Sequence, residues 1–85
     1  MAITVRYFAS LREALGATES VELPAHLPRT VASLREHLIA SDAAHAAALA
    51  RGRAVRCALN QDMADEDAPV ADGDEVAFFP PVTGG

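Results

Sequence analysis

The sequence predicts an α+β domain, a mixed sheet of about five strands with helices packed on one face. Three observations carry this reading. Period-two apolar alternation opens the chain, from Ala2 to Phe8, and returns near its end, from Glu75 to Phe79. Apolar residues at helical spacing fill the middle, where Val31, Leu34 and Leu38 follow a capping Thr30. The long connection through residues 24–53 has to cross the sheet, and it carries the helices that such a crossover uses.

Ile3, Val5 and Tyr7 fall on the core face of the first strand, with Thr4, Arg6 and Phe8 on the other. Phe8 is therefore an aromatic on the polar side. Ser10-Leu11-Arg12-Glu13 matches a capping box, with Gly16 as a left-handed stop. The helix between is about two turns long, so Leu11 and Leu15 must hold it by packing. Glu19 to Leu23 alternates again, with Val21 and Leu23 on one face and Pro24 and Pro28 beyond. In the helical middle, Arg35 and Glu36 are expected to face water. Ser41 or Asp42 caps a second helical piece, Ala43 to Arg51, stopped by Gly52. His37 and His45 read as surface histidines, because no cluster at metal-ligand spacing accompanies them.

Ala54 to Leu59 is a third strand with Val55, Cys57 and Leu59 inward. Cys57 reads there as inert core, although Arg53 and Arg56 nearby keep a reactive thiol open. Asn60-Gln61 marks a turn. Met63 begins a weak strand, cut short by Asp65-Glu66-Asp67 and Pro69. Asp72-Gly73-Asp74 is a tight turn before the last strand, in which Val76 and Phe78 share one face and Ala77 and Phe79 the other. If the first and last strands are neighbours, Phe8 and Phe79 form one exposed apolar patch. Such a patch marks a protein interface unless a loop folds over it. With these two strands central and parallel, the arrangement is a β-grasp.

The totals exclude several classes. Eighty-five residues allow one domain, read as a body over residues 1–79 and a flexible tail over 80–85. A net charge of −5 makes the phosphate backbone of nucleic acid a poor partner. No run of 18 apolar residues and no basic-then-apolar leader occurs, so neither a membrane span nor a secretory signal is expected. A single cysteine fits the reducing cytoplasm. Every cationic side chain is arginine, so an activated C-terminus would find no side-chain amine in its own chain.

The sequence ends Pro80-Pro81-Val82-Thr83-Gly84-Gly85. The prolines cannot donate to a sheet ladder, so they end the strand and stiffen its exit. Six extended residues reach about 20 Å. Two glycines are narrow enough for a constricted site, and the chemistry available to them is that of the Gly85 carboxylate. A carboxylate is a poor electrophile and needs activation. The chain has no GxxxxGK[ST] loop and no GxGxxG, so ATP chemistry must come from a partner. No Ser/His/Asp set or carboxylate pair stands out as catalytic.

Val5-Arg6-Tyr7-Phe8-Ala9, Leu11-Arg12-Glu13 with Gly16, Ala58-Leu59-Asn60-Gln61 and above all the run from Asp72 to Gly85 carry a family likeness. The chain resembles the small subunits of molybdopterin synthase, the MoaD-type, ubiquitin-like sulfur carriers. The C-terminal match is long and specific, whereas residues 24–53 match by pattern and spacing. The resemblance implies a sulfur-carrying, non-catalytic subunit of a heteromeric sulfurtransferase. A partner E1-like enzyme would adenylate Gly85 with ATP and magnesium, and a sulfur donor protein would convert it to a thiocarboxylate. The tail would then enter the large synthase subunit and pass sulfur to a cyclic pterin precursor, building the dithiolene of the molybdenum cofactor. The family assembles as a heterotetramer of two small and two large subunits, and the resemblance implies no permanently bound cofactor or metal. It makes Gly84 and Gly85 the working end. It makes Phe8, Met63, Phe79 and Arg12 partner-binding, together with Pro80, Pro81, Val82 and Thr83.

Two other carriers share the fold and the Gly-Gly end: a sulfur carrier for thiamine or another sulfur pathway, and a ubiquitin-like modifier that conjugates to lysines. The Phe78-Phe79-Pro80-Pro81-Val82-Thr83 lead-in favours the pterin branch. A plain interaction domain with an inert tail is the remaining alternative.

Overall fold

The computed structural model describes residues 2–81. Val82, Thr83, Gly84 and Gly85, named above as tail residues, lie outside the described residues. The elements run β1 (Ile3–Tyr7), α1 (Ala9–Leu15), β2 (Thr18–Val21), α2 (Val31–Ile39), α3 (Ala43–Leu49), β3 (Arg56–Leu59), β4 (Asp62–Ala64) and β5 (Glu75–Phe79). The strands form one sheet in the order β2-β1-β5-β3-β4. β1 and β5 are parallel, with Tyr7 beside Phe78, and the other pairs are antiparallel. This is the β-grasp that the alternation predicts, with the last strand in the middle.

Alternation sorts the sheet residues. Ile3, Val5, Tyr7, Val76 and Phe78 are at most 1% exposed and meet Val31, Leu34 and Leu38 of α2 and Leu49 of α3. The Tyr7 and Phe78 rings stack, with centroids 6.4 Å apart. Burial of each large side chain contributes about 1.5–3 kcal/mol, which is how helices of 7–9 residues persist. Cys57 sits in this core at 5% exposure, its Sγ 3.1 Å from the Ala64 carbonyl oxygen. Burial pushes its thiol pKa up, as expected of inert core.

Several local expectations are corrected. The capping box at Ser10 does not form: α1 begins at Ala9, and its N-cap, Phe8, makes no side-chain cap bond. Ala9 takes the left-handed conformation, φ 53°, so the chain turns from strand to helix before Ser10 is reached. β2 ends at Val21 rather than Leu23, because Val21 pairs with Ile3, where β1 begins. β3 likewise begins at Arg56, opposite the last residue of β5. Asp72-Gly73-Asp74 is a turn with Gly73 at φ 91°, yet it does not join paired strands, since β5 pairs with β1 and β3. The two-residue hairpin is at Asn60-Gln61, between β3 and β4, where both φ values are positive as a type I′ turn requires.

Arg35 does not face water. It is 3% exposed and continues the buried stripe of Val31, Leu34 and Leu38. Its guanidinium donates to the carbonyl oxygens of Leu49 (2.9 Å), Ala50 (2.8 Å) and Arg53 (3.2 Å) and to Glu66 (2.7 Å). α3 therefore stops at Leu49, with its terminal carbonyls capped by another helix's arginine, and Gly52 is not the stop. Arg51 bonds both Glu36 and Glu66, and burial of Glu66 is outweighed by Arg51 and Arg35, which hold its carboxyl below the usual range. The 66–68 loop in turn supplies the carbonyls of Glu66 and Ala68 to the first amides of α2, and Thr30 caps the same end as predicted.

His45 is not a free surface histidine either. Its side chain is 14% exposed and lies between Glu19 Oε2, 2.6 Å from Nε2, and Asp42 Oδ1, 2.8 Å from Nδ1. The Tyr7 hydroxyl donates to the same Glu19 oxygen at 2.7 Å. Burial lowers the imidazole pKa, but the bonds to Glu19 and Asp42 outweigh it, and the net shift is upward.

Candidate functional site

The site lies on the sheet face away from the helices. In register across the strands, Arg6 pairs with Ala77, Ala77 with Ala58, and Ala58 with Met63, so these four share that face. Arg56 pairs with Phe79 one row further along. Ala58 and Ala77 are each 8% exposed because taller neighbours flank them.

Phe8 reaches this face through its backbone. Its N–H donates to Phe78 O at 3.2 Å, and its carbonyl accepts from Leu11 and Arg12, which holds the residue at the strand–helix junction. The ring points outward, 39% exposed, with the Arg6 guanidinium 5.6 Å above its centre. Arg6 also lies 3.8 Å from Glu75. Tyr7 stands beside Phe78 in a parallel pair, so Phe8 and Phe79 follow side by side at the ends of β1 and β5, Phe8 exposed and Phe79 half-buried. Met63, 61% exposed, closes the far side on β4. Three strand spacings separate β1 from β4, so the patch spans about 14 Å.

β5 stops at Phe79, where Pro80 removes the next donor. Half-buried Pro81 lines a groove of about 230 Å³ with Phe79, Met63 and Arg56. The start of the tail thus leaves from the apolar patch itself. Arg12 is exposed on α1, and among the described residues no hydrogen bond or ion pair joins its side chain to the patch. Sequence reasoning missed Arg56, whose place beside Phe79 follows from the β3–β5 register, a non-local fact. Among the described residues no three His, Cys, Asp or Glu side chains are grouped to hold a metal ion. No helix there is long and apolar enough to cross a membrane.

This geometry can dock a protein through an apolar face, and β5 delivers Pro80 and Pro81 to the edge of that face. The chain matches the model of the ThiS family over residues 5–85. It is 48% identical over 83 residues, 98% of this chain and 99% of the relative, to the molybdopterin synthase sulfur carrier subunit of Escherichia coli. SAMP1 from Haloferax volcanii has a similar structure, with a TM-score of 0.76 and 29% identity over all of both chains. A chain from the protein–protein complex of subunits 1 and 2 of molybdopterin-converting factor from Helicobacter pylori also superposes over the full length of both, with a TM-score of 0.65 and 25% identity. A match running through the final glycines and a relative at nearly half identity place the chain in a family of β-grasp proteins: it belongs to the ThiS family.

Proposed function

We propose that the chain is the sulfur carrier subunit of molybdopterin synthase, working in the cytoplasm. The observation that carries this is its 48% identity, over nearly all of both chains, to a protein of that function. The likeness to a chain taken from a two-subunit complex supports a large-subunit partner, and the Phe8–Phe79–Met63 face is the surface we assign to it.

In this reading Gly85 carries the chemistry and Gly84 gives it clearance. An E1-like partner joins the Gly85 carboxylate to the α-phosphorus of ATP with magnesium, releasing pyrophosphate. A sulfide equivalent from a sulfur donor protein then attacks the acyl carbon, AMP leaves, and a thiocarboxylate remains. Its nucleophilic sulfur displaces an oxygen leaving group from the pterin precursor held by the large subunit. Water then cleaves the acyl C–S bond, leaving the sulfur on the precursor and a carboxylate on Gly85. Pro80 and Pro81 stiffen the base of the arm, Val82 and Thr83 extend it, and the body supplies no catalytic group. Phe8, Phe79 and Met63 dock that body, and Arg12 contributes at the rim. The working assembly is two small and two large subunits.

Deleting Gly85 tests the reading. The truncated protein is expected to keep its melting temperature and lose all sulfur transfer to precursor by the reconstituted synthase. Dithiolene formation by that truncation would overturn it. Intact-mass measurement of protein from cells is expected to show one oxygen of the C-terminus replaced by sulfur. The similarity to SAMP1 favours a protein modifier as a second reading. Covalent attachment of the chain to lysines of other proteins, with no dithiolene formed, would favour it.

A further inference from the structure

Two arginines stand on the open face on the strands either side of β5, Arg6 beside Ala77 and Arg56 beside Phe79, in different electrostatic settings. Arg6 is compensated: it lies 3.8 Å from Glu75 and over the Phe8 ring. Arg56 is exposed, and among the described residues no hydrogen bond or ion pair engages its side chain. It lines the groove of about 230 Å³ beside Phe79, Met63 and Pro81. It also lines a larger groove, of about 480 Å³, whose lining includes Asp65 and Glu66. Glu66 is already engaged by Arg35 and Arg51, and neither carboxylate lies within ion-pair distance of Arg56.

A protein that covers Phe79, Met63 and Pro81 must also strip water from Arg56. A guanidinium cannot shed its charge, and a desolvated charge without a partner is strongly unfavourable. The covering surface therefore has to bring an acceptor, and the planar fork of arginine is best matched by a carboxylate. We infer that Arg56 sets the docking register of this face by pairing with a carboxylate of the protein that receives the tail. This rests on the interface assigned under the proposed function. The chain as a whole carries −5, so its general field favours a basic partner surface. An acidic group opposite Arg56 is a local exception to that field. It aligns the apolar anchors in one orientation and rejects uniformly basic surfaces that would otherwise attract the chain.

Binding of the full-length chain to the large subunit of molybdopterin synthase, measured by calorimetry at low and high salt, tests this. Arg56→Glu is expected to weaken binding by at least about tenfold. Arg56→Lys, which keeps the charge but loses the planar fork, is expected to weaken binding by less than Arg56→Glu does. The salt dependence of Kd should be shallower for Arg56→Gln than for the parent. Melting temperatures check that the variants fold. Phe79→Ala, run alongside, separates the two readings. If it weakens binding while Arg56→Glu stays within about twofold, the interface stands and the role of Arg56 is overturned. If neither variant weakens binding, the interface itself is wrong and the inference falls with it.

Discussion

On the helix-covered side of the sheet, Val5, Val76 and Phe78 are at most 1% exposed, and no buried side-chain N or O among the described residues lacks a hydrogen-bond partner. One residue along, on the open side, Phe8 and Met63 are exposed, Arg56 makes no hydrogen bond or ion pair among the described residues, and two alanines form the floor between them. The backbone ladders are common to both sides. The contrast teaches that one strand can hold a core residue and a docking residue in adjacent positions, so that stability and recognition vary independently. Phe78 and Phe79 are the sharpest instance.

The largest effect should come from breaking the covered side. Phe78→Ala is expected to destabilise the protein by about 3–5 kcal/mol, read from the denaturant midpoint. Phe79→Ala should change stability by about 1 kcal/mol or less yet weaken large-subunit binding by about 2 kcal/mol or more. Equal stability losses for the two would erase the distinction between the faces.

Next comes the polar anchor of the covered side. Arg35→Ala leaves the carbonyls of Leu49 and Ala50 and the carboxylate of Glu66 without their buried donor. A loss of about 3 kcal/mol in chemical denaturation is expected, with binding by the folded fraction unchanged. A loss below about 1 kcal/mol would show that water replaces the guanidinium.

The smallest effect is pH-dependent. The pKa of His45 is raised in the fold, so its charged form stabilises the protein. That contribution is complete below the unfolded value, 6.5, and is lost as pH rises through the higher folded value. Asp42, Glu19 and the Tyr7 hydroxyl are the titratable groups it meets. The advantage of the parent over His45→Gln, on the order of 1 kcal/mol near pH 6, should shrink as the solution becomes alkaline. An advantage that grows with pH would reverse the assignment of a charged imidazole.

How much of this was legible in the residues follows from the range of each interaction. Alternation in β1 and β5 identified both faces, because strand periodicity is local and the two strands happen to be neighbours. Helix α2 and its Thr30 cap were legible for the same reason. Arg35 was misread although its position, four after Val31 and four before Ile39, continues the buried stripe. Its partners come from Leu49 to Glu66, and sequence spacing does not show them. His45 was misread likewise, since Glu19 is 26 residues away. The failed capping box had a local cause, the left-handed turn at Ala9, which alanine gives no sign of adopting. Arg56 became visible as a site residue through the β3–β5 register.

The central position of β5 has a consequence for synthesis. Glu75–Phe79 bonds to β1 on one side and β3 on the other, so the sheet stays in two unconnected parts until these residues are present. Synthesis from the N-terminus makes them after the other four strands. A chain interrupted upstream therefore lacks both the arm and the strand that makes the body cohere. Fragments that stop before Glu75 have no assembled docking face, and without one they cannot compete with the finished chain for its partner.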